Sequence, residues 1–326
     1  MLRALSLVAI LAAAFWASSS QAAQLITNRG ATQVRLQVNS KGEALLAYRS
    51  NGKLHRVLVW GAVNAAHPAR GAKQQAFKLD YSGGWRTHHT KYWASFPGKC
   101  DGYDGPALPN VVAACKAPDG SYWVAQSWRQ LLPDLGYLPW LPVQKAKWLF
   151  LSHWTGAVAQ IEAGMDWIYH GRWQQIFVRV TYRGHPVHGF GSSRYGVPTD
   201  AFGRLVYVDT HNSLYGAGWR REHSGVTHNP TGLFCHGLSP QNPTTGGYRH
   251  PPGQTAPRGP GTGDKYRLTV DGPGVTPIVG KVIAGLHAYD AADRDDVAQQ
   301  REQLARLEAW GGRGERGDCG MGWFEP

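Results

Sequence analysis

The chain has 326 residues, of which 42% are hydrophobic and 17% charged, and its formal net charge is +12. This length is ample for a buried core and suits one large β domain or two smaller ones. No apolar stretch after residue 22 reaches the roughly 20 residues of a spanning helix, which argues against an integral membrane protein.

The first 22 residues have the three-part layout of a secretory signal peptide. Arg3 supplies a positive charge, Leu5–Trp16 is apolar, and Ser20-Gln21-Ala22 places small residues where a signal peptidase cleaves. The apolar run is too short for a membrane anchor, because a spanning helix needs about 20 apolar residues. We therefore predict cleavage near Ala22 or Ala23 and a protein that is secreted, extracellular or in the cell envelope.

Between residues 24 and 286, apolar and polar side chains alternate in many short runs. Val34, Leu36 and Val38 alternate with Arg35 and Gln37, which is the period of a strand with one buried face. The same alternation occurs in the runs Phe77 to Tyr81 and Tyr266 to Val270. Two other runs are apolar on both sides and predict strands covered on both faces of a sheet; they are Trp148–Leu151 and Ile176–Val180.

Turn sequences rich in glycine, proline and asparagine separate these runs. Asn-Gly readily takes the positive φ angles of a tight turn, so Ser50-Asn51-Gly52 predicts a β-hairpin. The expected fold is all-β, a sandwich or jelly-roll-like arrangement of antiparallel sheets with long Gly/Pro-rich loops. This architecture is similar to that of lectin-like sandwiches, and such a fold hosts many functions.

Two segments rich in proline interrupt the strand pattern. Leu131–Pro142 predicts an irregular connection, and a split of the 24–286 domain into two β modules near residues 131–143 stays open. Ser239–Gly263 is denser still in proline and glycine and predicts a long surface loop.

Residues 287–326 form an acidic tail, with nine Asp/Glu against five Lys/Arg. The tail contains a predicted amphipathic helix at about 294–310, which Asp293 caps at its N-terminus. Val297, Leu304 and Leu307 fall on one face of this helix. We expect that face to dock onto the basic body, and the alternative is that it pairs with a partner protein.

Four cysteines remain in the exported chain, and their even number points to two disulfides. We favour the pairs Cys100–Cys115 and Cys235–Cys319, although the count alone allows three pairings. The first pair closes a short loop, and the second ties the acidic tail to the body. A zinc site is disfavoured because the chain has no Cys-x-x-Cys pair.

Aromatic residues are the main compositional signal for a binding site, since thirteen of the 14 tryptophans remain after removal of Trp16. An indole can stack on the apolar face of a sugar ring, although most tryptophans are expected in the core. Neighbouring arginines can hold a carboxylate or phosphate by charge-assisted hydrogen bonds. The predicted ligand-binding residues are Trp167, Trp173, Tyr195, Trp219, Arg220 and Arg221.

Four residues are weaker candidates for catalysis: Glu162, Asp166, Asp209 and His211. A glycosidase needs two carboxyl groups held ~5–10 Å apart, and the sequence does not show whether any pair meets. A zinc site can be drawn from Asp209, His211, His223 and His228. The chain lacks the His-Glu-x-x-His pattern, a Gly-x-Ser-x-Gly elbow and a phosphate-binding glycine loop. We therefore predict neither a metal nor a cofactor.

Residues 23–286 carry 28 Lys/Arg against 13 Asp/Glu, so the body is attracted to acidic surfaces. The sequence favours a secreted, non-catalytic protein that binds an anionic or polyhydroxylated polymer (glycan) of the cell envelope. Nucleic acid is not the expected partner, because the protein is exported and has no basic helical stripe. Two alternatives stay open: an extracellular hydrolase acting on carbohydrate or cell wall, and a structural or interaction protein of the envelope.

Overall fold

The computed structural model describes residues 23–67, 73–97, 100–128, 147–168, 173–187, 191–192, 198–199, 206–213, 216–221, 225–228, 233–238, 264–285, 287 and 289–311. Strands account for most of these residues. In chain order they are β1 (Gln24–Thr27), β2 (Thr32–Val38), β3 (Ala44–Ser50), β4 (Lys53–Trp60), β5 (Lys78–Asp80), β6 (Val111–Lys116), β7 (Tyr122–Trp128), β8 (Trp148–Trp154), β9 (Gln160–Ile168), β10 (Trp173–Tyr182), β11 (His185–Pro186), β12 (Gly191–Ser192), β13 (Pro198–Thr199), β14 (Val206–Ser213), β15 (Gly216–Arg221), β16 (Gly225–His228), β17 (Leu233–Leu238), β18 (Lys265–Val270) and β19 (Val279–Ala284). The helices are α1 (Trp85–His88), α2 (Arg294–Ala309) and a 3-10 turn at Tyr92–Ser95.

These strands form four larger antiparallel sheets and one short ladder, β12–β13. The N-terminal sheet has the order β2-β3-β4-β5, and the central sheet has the order β1-β8-β7-β6. The third sheet has the order β11-β10-β17-β16, with β9 also paired to β10, and the fourth has the order β15-β14-β18-β19. The prediction of an all-β fold is confirmed, with one long helix near the C-terminus.

The predicted hairpin at Ser50-Asn51-Gly52 is present between β3 and β4. Asn51 has a φ of 49° and Gly52 a φ of 76°, the left-handed angles that a two-residue turn requires. This turn fixes the register of the hairpin, in which Arg49 pairs with Leu54 and Ala47 with Arg56.

The central sheet is buried on both faces. On one face, Trp123 and Leu151 pack into a core shared with the N-terminal sheet, which contributes Leu46. On the other face, Val124 and Trp154 pack into a second core with side chains of β10, β14 and β18. The prediction that Trp148–Leu151 is a strand covered on both faces is therefore confirmed for β8, and β7 shares this position.

The strand Ile176–Val180 is also covered on both faces, as predicted. Ile176 and Val178 face the second core, whereas Phe177 packs against Leu307 and Trp310 at the end of α2. The rings of Phe177 and Trp310 are 5.5 Å apart and meet edge to face. The C-terminal helix thus docks onto the chain's own third sheet.

The buried face of α2 differs from the predicted one. Leu307 is buried as expected, but Val297 and Leu304 are only half-buried, and Asp296 and Gln303 take buried positions. Asp296 is tolerated there because it accepts hydrogen bonds from Asp290 N at 2.9 Å and His287 Nε2 at 2.8 Å. The bond from Asp290 N and then that from His287 lower the pKa of Asp296, whereas the Gly285 carbonyl and then Asp296 raise the pKa of His287. The helix begins as predicted, since Asp293 accepts from Asp295 N.

The disulfide Cys100–Cys115 is present, with a Cα–Cα distance of 5.5 Å. Cys235 lies in β17, and its predicted partner Cys319 lies outside the described residues. The signal segment 1–22, the 131–143 boundary and the 239–263 loop also lie outside them. Within the described part of the chain, no helix has the length and apolar character needed to cross a bilayer.

Two leucines on neighbouring strands of the N-terminal sheet should contribute very differently to the free energy of unfolding. Leu46 is fully buried, whereas Leu54 is 47% exposed. We expect Leu46→Ala to lower the free energy of unfolding by about 2–5 kcal/mol, because it leaves a cavity in the core. The control Leu54→Ala should stay within about 0.5 kcal/mol of the parent protein. Urea unfolding of the disulfide-intact proteins measures both, and equal losses would contradict the assignment of the core.

Candidate functional site

The outer face of the N-terminal sheet carries a row of side chains that crosses three strands. Arg35 of β2 pairs with Ala47 of β3, and Ala47 pairs with Arg56 of β4. Two arginines therefore flank one small residue, with Cα atoms about 10 Å apart, because neighbouring strands are about 4.8 Å apart. Arg49 lies two residues beyond Ala47 on the same face, about 7 Å along the strand.

The remaining part of this outer face is covered by the segment that follows β5. Phe96 packs with Leu45 and Leu58 in a small cluster, and Tyr92 and Trp93 lie partly buried against it. The Tyr92 hydroxyl donates to Glu43 Oε2 at 2.6 Å, and burial together with this carboxylate raises the pKa of Tyr92 to about 12. The segment continues to Pro97, whose carbonyl accepts a hydrogen bond from Gln37 Nε2, and it leaves Arg35, Ala47 and Arg49 uncovered.

Asp80 holds the start of this covering segment. Its carboxylate accepts hydrogen bonds from the backbone N–H and hydroxyl groups of Ser82 and Thr87. The predicted alternation from Phe77 to Tyr81 is wrong at its end, because Asp80 is buried and Tyr81 is 56% exposed. The strand stops at Asp80, since its carboxylate caps the turn into α1 instead of pointing to water.

Gly83 allows the covering segment to approach β4 closely. Its φ is 69°, and a Cβ at this position would lie 2.9 Å from the Cβ of Arg56 and 3.4 Å from the Trp93 ring. The Arg56 guanidinium in turn lies 5.4 Å from the centre of the Trp93 ring, at cation–π distance. Arg56 and Trp93 are thus held together at the boundary of the open region.

The open region is a groove of about 340 Å³, which we call the arginine groove. It is lined by Gln33, Arg35, Gln37, Leu45, Ala47, Arg49, Leu54, Arg56 and Trp93. The lining contains three arginines and no carboxylate. None of these arginines forms an ion pair with a described residue, although Arg49 donates to Gly52 O at 2.9 Å. Three uncompensated positive charges on one concave face create a local field that attracts anions.

A second polar face lies on the fourth sheet and contains some of the predicted site residues. His211 pairs in register with Trp219, and their rings are 5.0 Å apart. The Arg267 guanidinium lies 4.4 Å from the centre of the Trp219 ring and donates to Asp209 at 3.1 Å. We call this set the Trp219 face.

Charges on the Trp219 face are compensated, in contrast to those of the arginine groove. Asp209 pairs with Arg267, and His211 Nδ1 lies 2.8 Å from Asp264 Oδ1. The hydrogen bond from His211 lowers the pKa of Asp264. A face with paired charges and an indole can exchange hydrogen bonds with hydroxyl groups but has less attraction for a free anion.

The structure does not bring the predicted ligand-binding residues together on one sheet. Trp167 and Trp173 occupy β9 and β10 of the third sheet, in adjacent register positions near the ends of those strands. Arg220 and Arg221 follow Trp219 in β15 and pair in register with Thr210 and Asp209. Tyr195 lies outside the described residues.

The candidate catalytic acids Glu162 and Asp166 lie on one strand, β9. A spacing of four residues in a strand separates their Cα atoms by roughly 13 Å, wider than the ~5–10 Å between glycosidase carboxyl groups. Asp209 and His211 lie on β14, whereas His228 lies on β16 of another sheet, and His223 is outside the described residues. Among the described residues no three His, Cys, Asp or Glu side chains form a metal-binding group.

Part of the arginine groove is encoded in local sequence patterns, although none of its residues was among the predicted site residues. The alternation in β2 already places Arg35 and Gln37 on the polar face. The two-residue turn at Asn51-Gly52 then sets the register that pairs Ala47 with Arg56. This register places Arg49 and Arg56 on one face, whereas the position of Arg35 depends on the shifted register between β2 and β3.

A buried serine–histidine pair lies between β7 and β8. His153 Nδ1 lies 2.6 Å from Ala62 O, which can only accept, so Nδ1 carries the proton and Nε2 faces Ser121 Oγ at 2.7 Å. The same hydroxyl lies 2.6 Å from Asp119 Oδ1. Trp123 stacks on the imidazole at 3.8 Å, and His153 is only 7% exposed. Because Ser121 is also buried, this pair is closed to a substrate and belongs to the core.

His153 predicts a pH dependence of stability. Burial lowers its pKa to about 4, below the value of 6.5 expected in the unfolded chain. Between these values the unfolded state binds the proton more readily, so the free energy of unfolding should fall by up to about 3 kcal/mol as the pH drops from 6.5 to 4. Urea unfolding across this range should show a shallower fall for His153→Gln. An equal fall in both proteins would contradict this assignment.

No protein-family model, curated protein or solved structure matches this chain.

Proposed function

We propose that this chain is a secreted, non-catalytic protein that binds an anionic cell-envelope polysaccharide in the arginine groove. The observation that carries the proposal is the convergence of Arg35, Arg49 and Arg56 in a groove without a lining carboxylate. Guanidinium groups are planar forks that match carboxylate, sulfate and phosphate oxygens. The basic body, with 28 Lys/Arg against 13 Asp/Glu, adds long-range attraction.

The other lining residues suit a sugar chain. Gln33 presents an amide group beside the arginines that can both donate to and accept from hydroxyl groups, and Gln37, whose Nε2 donates to Pro97 O, offers its amide oxygen as an acceptor. Leu54 and Trp93 supply apolar surface at the two ends of the groove, where sugar C–H faces can pack. The Trp219 face is a second proposed contact, for polyhydroxylated parts of the same polymer.

Location outside the cytoplasm is part of the proposal. The signal-peptide pattern of residues 1–22 supports export, and the Cys100–Cys115 disulfide is compatible with an oxidising compartment. Export makes envelope and extracellular polysaccharides more accessible partners than nucleic acids. The hydrolase and interaction-protein alternatives have less support, because the strand spacing separates Glu162 from Asp166, and α2 buries Leu307 against the chain's own third sheet.

Removal of the three groove charges should abolish polymer binding without loss of the fold. We expect the triple variant Arg35→Gln/Arg49→Gln/Arg56→Gln to lose retention on heparin and on polygalacturonate at about 0.15 M salt, where screening has weakened diffuse attraction. Affinity retention and titration calorimetry measure this loss. Circular dichroism and urea unfolding verify that the variant folds.

A matched control separates the groove from overall charge. The variant Arg294→Gln/Arg301→Gln/Arg306→Gln removes the same number of positive charges from exposed or half-buried positions on α2. It should keep most of the retention. Equal losses in the two triple variants would show that net charge, and not the groove, determines binding, and no retention of the parent protein on any acidic polymer would end the proposal.

A further inference from the structure

We infer that the arginine groove reads two successive acidic groups of a polymer, with Arg35 and Arg56 clamping one group above Ala47 and Arg49 binding the next. This inference rests on the proposed function and names its ligand class. The ligand is a polysaccharide with acidic groups repeated along its chain, and a single acidic sugar engages only part of the site.

The clamp follows from the cross-strand row. Ala47 lies in register between Arg35 and Arg56 and contributes only a methyl group to the floor. The two guanidinium groups can therefore approach one anion from opposite sides. The Arg56 guanidinium lies 5.4 Å from the centre of the Trp93 ring, and this contact restricts the side chain, so less of its freedom is lost when a ligand binds.

Arg49 belongs to a different row. It pairs with Leu54, two residues nearer the Asn51-Gly52 turn than the row of Ala47 and Arg56. Its bond to Gly52 O directs the guanidinium toward the hairpin end, away from the clamp. An anion seated between Arg35 and Arg56 thus leaves Arg49 available to a second acidic group on a neighbouring sugar.

The arrangement along the groove supports a chain rather than a compact anion. Trp93 lies at the covered end, the clamp lies in the middle, and Arg49 with the exposed Leu54 lies at the hairpin end. Apolar surface therefore lies at both ends of the groove, and the arginines that can bind acidic groups lie between and beside it. This order matches a sugar chain, which presents both acidic groups and C–H faces.

Because Arg35 and Arg49 lie in different rows, their single variants should affect the binding of monomer and oligomer differently. We would measure the binding of galacturonic acid and of its oligomers of two to six residues by titration calorimetry. Arg49→Gln should weaken oligomer binding about tenfold, as expected for one charge-assisted hydrogen bond, and leave monomer binding unchanged. Arg35→Gln should weaken monomer and oligomer binding alike, about tenfold each. The control Arg301→Gln should change neither.

Ala47→Leu tests the floor of the clamp without altering any charge. It should weaken binding of both monomer and oligomer about tenfold, because the larger side chain fills the space between the two guanidinium groups. Unchanged binding would overturn the clamp and leave only diffuse attraction. Equal weakening of monomer and oligomer by Arg49→Gln would overturn the two-row assignment.

The outcomes distinguish this inference from the proposed function. If the parent protein binds neither monomer nor oligomer, the proposed function fails. If it binds both equally well, the proposed function stands and the inference fails. Sulfated oligosaccharides of equal length decide which acidic group is preferred, and a single-stranded oligonucleotide that binds more tightly than every acidic oligosaccharide would overturn the polysaccharide assignment.

Discussion

The burial of the central sheet on both faces is the constraint on which the rest of the structure depends. Strands β7 and β8 contribute Trp123 and Leu151 to one core and Val124 and Trp154 to the other. The N-terminal sheet and the strands β10, β14 and β18 therefore pack on opposite sides of the same two strands. Each core fixes one outer layer, and the outer face of the N-terminal sheet is left to carry polar groups between its turn and the covering segment.

The arginine groove depends on a sheet that buries one face in the core and exposes the other. The inner residues of β2, β3 and β4 are buried in the shared core, so their outer residues are held at fixed spacing by backbone hydrogen bonds. The covering segment then uses Asp80 and Gly83 to place Trp93 at one end. A rigid platform of this kind loses little conformational freedom when a ligand binds.

The sequence correctly predicted those turns, strands and helix ends that are determined by interactions between residues close together in the chain. The turn at Asn51-Gly52, the alternation in β2 and the N-cap at Asp293 follow from near neighbours, and all are confirmed. Burial of Asp80 and Asp296 was not predictable in this way. Asp80 ends β5 and accepts a hydrogen bond from Thr87 in the following helix α1. Asp296 in α2 is hydrogen-bonded to His287, which lies before the turn that leads into this helix.

The predicted ligand-binding residues also show that a local sequence pattern does not reveal which side chains share a surface. Trp219, Arg220 and Arg221 are adjacent in sequence, but successive residues of a strand point to opposite faces, so adjacency does not make a common surface. The arginine groove instead combines residues separated by up to about sixty positions, from Gln33 to Trp93. Only the hairpin part of it could be derived from the sequence, because the position of Trp93 depends on how residues 82–97 fold back.

Strand β2, which supplies Arg35 and Gln37, is one of the two edge strands of its sheet. An edge strand has unpaired backbone N–H and C=O groups that can pair with a strand of another molecule, and charged side chains and bulges discourage such pairing. The register of β2 shifts between Thr32 and Arg35, and Gln33 adopts a φ of 50°. The charge of Arg35 and this local irregularity therefore also discourage edge-to-edge aggregation, a role of β2 that does not depend on any ligand.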